Sequence, residues 1–252
     1  MTEHTSEAKL WARLSRSFGK EAAAYAQHRP GYPVAALRWG LPSNAEHVLD
    51  LGAGTGKLTE GLLDLDLRVT AVEPDPAMLA ELARRHPGVR ALDGTAEGIP
   101  LGDAEVDSVL VGQAFHWFDM DRALTEIARV LKPGGTVVAL WNHRDDSVPW
   151  VAELDTLART SVARSWDPPE PFPPVHAEFG LFELETFPNG HRRTAETLLE
   201  TFATHSKLLV AAEDEREATL ARLRDFLANN PKTAEGEFTY PLTTRTLRAT
   251  RR

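Results

Sequence analysis

Apolar residues in this chain gather into short runs separated by amphipathic stretches. The runs His47 to Leu51, Arg68 to Val72, Val89 to Leu92, Val106 to Gly112 and Thr136 to Trp141 have strand length. Two of them, Ser108-Val109-Leu110-Val111 and Thr136-Val137-Val138-Ala139-Leu140, lack the polar alternation of a half-exposed sheet, as expected for strands covered on both faces. Between the runs, Gly56 to Leu65, Asp75 to Arg85 and Asp121 to Leu131 read as helices. Strand and helix in alternation predict an α/β fold, a doubly wound parallel sheet with right-handed crossovers. Pro133-Gly134-Gly135 reads as a turn between the last of these helices and its strand.

The flanks follow different patterns. An amphipathic helix is expected from Ser6 to Ala26, ending near Arg29 because the residue before a proline avoids the helical region. Pro33 then opens a short helix closed by Gly40. Beyond Trp141, helices are expected at Val151 to Ala163, Thr194 to Thr204 and Glu213 to Ala228, and a strand at Phe182 to Phe187. An edge strand or hairpin is expected from Phe238 to Arg248. Asp167 to Pro174 contains five prolines and predicts an extended loop, read either as a lid or as a surface connection. The domain plan is an N-terminal helical segment (1–42) that closes a ligand site, a core (43–145), and a cap that also completes the sheet (146–252).

The segment Val48-Leu49-Asp50-Leu51-Gly52-Ala53-Gly54-Thr55-Gly56 joins an apolar strand to a glycine turn and a helix. Glycines at such a turn let main-chain N–H groups approach a ligand, and the helix points its positive end at the same place. About twenty residues on, the next strand ends in Glu73, where an acid can meet ribose hydroxyls. A P-loop does not fit, since Gly52 to Gly56 encloses three residues rather than four and Leu58 follows Lys57. A dinucleotide fingerprint fits poorly, because Lys57 occupies the place of its third glycine. A nucleoside with an amino-acid tail fits better, its ammonium suiting Asp50 and its carboxylate the glycine turn.

From Val48 to Trp141 the chain resembles the class I S-adenosylmethionine-dependent methyltransferases. VLDLGAGTG is similar to that family's first motif, and AVEPDPAML, from Ala71 to Leu79, to its second. DGTAEGIPL, from Asp93 to Leu101, is similar to the third, and EIARVLKPGG, from Glu126 to Gly135, to the segment before the fifth strand. The resemblance implies a Rossmann-like seven-stranded sheet, mostly parallel with one antiparallel strand, flanked by N-terminal helices and a small helical cap. It also implies S-adenosyl-L-methionine as cofactor. Asp50, Gly52, Ala53, Gly54, Glu73, Pro74, Met78, Thr95, Ala96 and Gln113 are then its expected cofactor-binding residues. Many members carry Asp where this chain has Thr95, so a hydroxyl or main-chain contact takes the acid's place. Near the N-terminus, Tyr25 and Arg29, together with Phe18 and Tyr32-Pro33, are similar to a segment of small-molecule members, including trans-aconitate methyltransferases, that helps close the cofactor site.

Composition narrows the acceptor. The 252 residues include no cysteine, which excludes disulfides, thiolate metal sites and a cysteine nucleophile. A net charge of −9 disfavours tracking along a nucleic acid, and His191-Arg192-Arg193 and Arg245 to Arg252 read as a solvated face and a frayed end. No apolar run approaches the roughly 20 residues of a membrane span, so a soluble cytoplasmic enzyme acting on a small molecule is expected. No metal is required. In Gln113-Ala114-Phe115-His116-Trp117-Phe118, His116 is a general-base candidate or a wall of the cofactor site. His143 is a second base candidate, and Arg144 a clamp for an anionic acceptor. A dinucleotide-dependent oxidoreductase and a non-catalytic binding module for the same cofactor are the rival readings.

Overall fold

The computed structural model describes residues 29–161 and 175–252. The expected Ser6 to Ala26 helix, Tyr25 with it, and the proline-rich loop lie outside the described residues. Within them a seven-stranded sheet is built from β1 (His47–Leu51), β2 (Arg68–Val72), β3 (Arg90–Leu92), β4 (Val106–Gly112), β5 (Leu131–Arg144), β6 (Glu183–Arg193) and β7 (Phe238–Thr250). Strand order is β3-β2-β1-β4-β5-β7-β6. The helices are α1 (Val34–Gly40), α2 (Lys57–Leu63), α3 (Pro76–Arg85), α4 (Met120–Val130), α5 (Pro149–Leu157), α6 (Ala195–Ala203), α7 (Ser206–Leu209) and α8 (Glu213–Asn229).

The central strands pair in parallel: β1 with β2 and β4, β2 with β3, and β4 with β5. Strand β7 runs the other way. Arg251 N–H bonds Gly135 C=O while Asp145 N–H bonds Pro241 C=O, so numbers rise along β5 as they fall along β7. Gly180 N–H to Thr250 C=O and Arg252 N–H to Glu178 C=O follow the same rule on the other side. The single reversed strand matches the fold class implied by the resemblance.

Consecutive residues of the inner strands enter different cores. Leu49, Leu51, Val109, Val111, Val137 and Ala139 pack with Ala123, Leu124 and Ile127 of α4. Their neighbours Val48, Leu110, Val138 and Leu140 pack with Ala36 and Leu37 of α1 and Leu58 and Leu62 of α2. Burial on both faces explains the unbroken apolar runs, and each large aliphatic side chain so buried contributes about 1.5–3 kcal/mol. Helix starts follow capping chemistry: Asp75 accepts from Ala77 N–H and Met78 N–H to begin α3, with Pro76 in the first turn.

Three differences from the sequence expectation have physical causes. Pro133-Gly134-Gly135 does not precede a strand but interrupts one. Val106 pairs with Leu131 and Ser108 with Thr136, so the extra residues of β5 bulge there. Strand β7 is neither an edge nor a hairpin, and its end is not frayed. Tyr240, Leu242, Thr244 and Thr246 alternate inward, and the arginines serve the structure: the Arg248 guanidinium lies 4.2 Å from the Trp39 ring centroid and donates to Trp39 C=O. The edge is β6, which tolerates Pro188 for that reason and is longer than the expected Phe182 to Phe187.

The chain divides into two compact units. Among the described residues, one holds 30–143, 175–189 and 244–252, with β1 to β4 and most of β5. The other holds 29, 144–161 and 190–243; its core joins Val151 and Leu154 of α5, Leu198 and Phe202 of α6, Leu223 and Leu227 of α8, and Tyr240 and Leu242. No helix of the described residues is long and apolar enough to cross a membrane.

Candidate cofactor site

In this strand order the chain leaves β1 toward β2 on one side and β4 on the other, and ligands of doubly wound folds lie at the carboxyl ends of such strands. The glycine turn sits there. Gly52 N–H and Ala53 N–H both bond Val72 C=O, at 2.9 and 3.1 Å, which ties the turn to the end of β2. Gly52, Gly54 and Gly56 have φ of +70°, +56° and +88°, a region that side chains disfavour. Around Gly54 the space is open: a Cβ built there meets no atom within 4 Å. Close backbone approach to a ligand requires such a cradle.

The two strand-end acids differ. Glu73 bridges the turns, one carboxylate oxygen accepting Gly54 N–H and the other Asp75 N–H, each at 2.9 Å. Burial pushes its carboxyl up, against those two donors. Each oxygen keeps a lone pair for a further donor. Asp50 is fully buried, and only one of its oxygens is satisfied, by Thr59 O–H at 2.6 Å. The other, Oδ1, has no partner, and burial raises the carboxyl to about 7. The buried Thr55 hydroxyl also lacks a partner. Orphaned acceptors beside an open glycine cradle fit an incoming ammonium, so these residues suit a nucleoside with an amino-acid tail.

At the ends of β4 and β5 side chains hold one another. Gln113 has φ of +60°, a conformation that costs a non-glycine residue about 1–2 kcal/mol, and its amide donates to Asn142 C=O at 3.3 Å. Phe115 is buried edge-on against Trp141, and Trp141 Nε1–H donates to His116 Nδ1 at 3.3 Å. Desolvation lowers His116 to about 4. The ring is therefore neutral near pH 7, with its proton on Nε2. Asn142 donates to Pro30 C=O and Gly31 C=O, while its carbonyl oxygen accepts from Asn189 and, at 2.6 Å, from Thr244 O–H. Tyr32 lies over Gly112, where a Cβ would come within 2.5 Å of the tyrosine oxygen.

Gly52, Gly54 and Glu73 are thus tied by hydrogen bonds to the ends of β1 and β2, with Asp50 near the end of β1, and Ala53 packs against Ala71 and Leu82. Met78 is buried in α3 and Pro74 exposed before it; Thr95 is exposed and Ala96 buried in the turn after β3. His143 is exposed. Arg29 and Arg144 belong to the second compact unit, where Arg29 donates to Thr204 C=O. The sequence reading missed Thr59 and Asn142. Thr59 carried one signal, a polar residue on the apolar face of α2 beside Leu58 and Leu62.

The methyltransferase domain family matches residues 49–139. An uncharacterized methyltransferase of Mycobacterium tuberculosis is 42% identical over 245 residues, covering 94% of this chain and 96% of the relative. The chain belongs to the class I S-adenosylmethionine-dependent methyltransferases. A second uncharacterized methyltransferase-like protein, from Schizosaccharomyces pombe, is 35% identical over 229 residues, covering 86% and 88% of the two chains. The solved structure of a proposed type II methyltransferase from Anaeromyxobacter dehalogenans superposes with a TM-score of 0.66 at 29% identity, covering 88% of this chain and 97% of that one. Nothing in these matches singles out trans-aconitate methyltransferases.

Proposed function

We propose that this methyltransferase uses S-adenosyl-L-methionine to methylate a small organic molecule at oxygen or nitrogen. The observation that carries the reading is the open cradle at Gly54 between Glu73 and the unpartnered Oδ1 of Asp50. When bound, the cofactor supplies a sulfonium methyl group open to in-line displacement. Asp50 would hold its ammonium, the N–H groups of Gly52 to Gly54 its carboxylate end, and Glu73 its ribose, with Pro74, Met78, Thr95, Ala96 and Gln113 beside it. Tyr25 and Arg29 are proposed to close the site.

For the acceptor, the chain's residues provide orientation and exclusion of water rather than strong acid-base chemistry. His116 shapes the site as a neutral ring. Its Nδ1 lone pair is committed to Trp141, and a base role would require that bond to break. His143, exposed at the end of β5, is the alternative proton acceptor. The charge of −9 supports a small acceptor over a nucleic acid, and a reducing cytoplasm suits a chain without cysteine.

Two measurements test the reading. Titration of S-adenosylhomocysteine against NAD should give binding of the first alone, and methyl-labelled cofactor should turn over with members of a metabolite panel. Binding of NAD alone would favour an oxidoreductase. Cofactor binding without turnover across oxygen and nitrogen acceptors would favour a binding module.

A further inference from the structure

One hydroxyl beside the cofactor site has a partner that helix geometry alone would not choose. A threonine inside a helix, when its hydroxyl bonds locally, donates to the carbonyl four residues back. Thr59, fully buried in the first turn of α2, does otherwise. The carbonyl four residues back, that of Thr55, accepts from Arg85 Nη1–H at 3.0 Å, and the Thr59 hydroxyl donates at 2.6 Å to Asp50 Oδ2 near the end of β1. That length is typical of a hydroxyl on an ionised carboxylate and shorter than is usual between neutral oxygens.

Burial works against a charge on Asp50, and so does Glu73, the charged group at the end of β2 that acts on it. The Thr59 hydroxyl and the Thr59 main-chain N–H work in its favour. Among the described residues the other buried hydroxyl of the turn, on Thr55, has no partner and gives no help. Thr59 therefore occupies Oδ2 and leaves Oδ1 as the unpartnered oxygen. The last torsion of an aspartate is broad and roughly two-fold, so pinning one oxygen decides where the other points.

We propose that Thr59 is a positioning residue of the cofactor site: by holding Oδ2 it fixes the Asp50 side chain with Oδ1 turned to the ligand and keeps the group an anion, so that the site prefers an amino-acid tail carrying an ammonium group to one without it. The inference rests on the cofactor reading and adds to it how a fully buried carboxyl is made ready for a cation. Valine in place of Thr59 has nearly the same shape and no donor. It would leave Oδ2 as orphaned as Oδ1, and the protonated acid would then be the form that fits.

The test uses the full chain as wild type, Thr59→Val and Thr59→Ser, with Thr59→Ala set against Thr59→Ser if the valine variant does not fold. Without ligand, carboxyl NMR with the Asp50 signal assigned by Asp50→Asn should show the titration of Asp50 about one pH unit higher in Thr59→Val than in wild type, and restored in Thr59→Ser. With ligand, calorimetry compares S-adenosylhomocysteine with its analogue lacking the amino group. At pH 7 Thr59→Val should lose up to about tenfold of the wild-type preference for the amino compound and regain it by about pH 8 to 9, with no loss of affinity for the analogue. A brace for α2 alone would move neither the titration nor the preference. An unshifted Asp50 titration, equal losses for both compounds, or no recovery in Thr59→Ser would overturn the role of Thr59. A wild type that binds S-adenosylhomocysteine no better than the analogue, or not at all, removes the cofactor reading at Asp50 and this inference with it, whereas a preference that survives Thr59→Val unchanged removes this inference alone.

Discussion

Two neighbouring regions at one end of the sheet hold their polar groups by opposite means. At the ends of β1 and β2 the holding is done by main chain: Gly52 and Ala53 N–H groups fasten to Val72, and Gly54 and Asp75 N–H groups fasten Glu73. At the ends of β4 and β5 it is done by side chains, with Trp141 on His116, Gln113 on the Asn142 carbonyl, and the Asn142 amide on four groups from three segments. Main-chain holding demands glycine and fixed spacing, whereas side-chain holding leaves the choice of residue free. On the proposed cofactor reading, the first region would bind what members of such a fold bind in common. The second is where one member can differ from another.

The sharpest way to break the comparison is to fill the main-chain cradle. Gly54→Val puts a β-branched residue at φ +56° in otherwise open space. The protein should fold with a melting temperature lowered by a few degrees, and calorimetry should show S-adenosylhomocysteine affinity reduced about a hundredfold or more. Affinity within threefold of wild type would remove the glycine turn from the site.

Glu73→Ala is next in size. It removes the proposed ribose acceptor and also frees the N–H groups of Gly54 and Asp75, so binding should weaken at least about tenfold, at about 1.5–3 kcal/mol for hydrogen bonds to a charged group. A loss below twofold would make Glu73 a brace for the turn and nothing more.

Asp50 adds a pH dependence to the same region. Burial raises its carboxyl to about 7 in the fold from an ordinary value of 3.8, so the native state favours the protonated form. Stability from this group is complete below about pH 4 and falls as pH rises toward 7, by up to about 4 kcal/mol over three units. Asp50→Asn should flatten that slope in denaturant titrations between pH 5 and 8. A cofactor ammonium favours the ionised carboxylate, so wild-type affinity should rise up to about tenfold from pH 6 to 7 with proton release. Calorimetry in buffers of different ionisation enthalpy would detect that proton, and none released would separate Asp50 from the ammonium.

These contrasts also explain what could be read in the chain. Strands β1, β2 and β4 were legible to the residue because burial on both faces leaves unbroken apolar runs, and the glycine turn because its φ angles restrict the residue. Strand β7 was legible as a strand but not as an inner one, because Thr244 and Thr246 are buried polar residues and the arginines near its end lie along Trp39 and the backbone, so that its last residues read as a basic tail. Asn142 was passed over for a related reason. An asparagine after a strand is ordinary in sequence, and its partners at positions 30, 31, 189 and 244 are distant along the chain. Asn142→Ala removes the amide from those four groups, while Asn189 still donates to Gly31 C=O and to the Thr244 hydroxyl oxygen, and it should cost about 1–3 kcal/mol in urea unfolding, with a smaller loss of cofactor affinity than Glu73→Ala. A cost under 0.5 kcal/mol would mean that water replaces the amide.

The smallest effect is expected at the residue that looked most catalytic. His116 is neutral across the physiological range, because desolvation lowers it to about 4, and its Nδ1 accepts from Trp141. A ring so placed is a weak base whose free lone pair is already taken, so the kcat profile of the wild type should show no inflection attributable to it between pH 5 and 8. His116→Gln keeps a polar group beside Trp141 and should lower kcat less than about tenfold, with the change shared between kcat and cofactor affinity. If kcat instead falls by about a hundredfold or more at saturating cofactor, and an inflection of the wild-type profile disappears with the substitution, the Trp141 bond must open during turnover and His116 takes the acceptor's proton after all. Either result locates the source of rate: in the first case it is alignment and exclusion of water by the aromatic walls, in the second a base released from its resting partner.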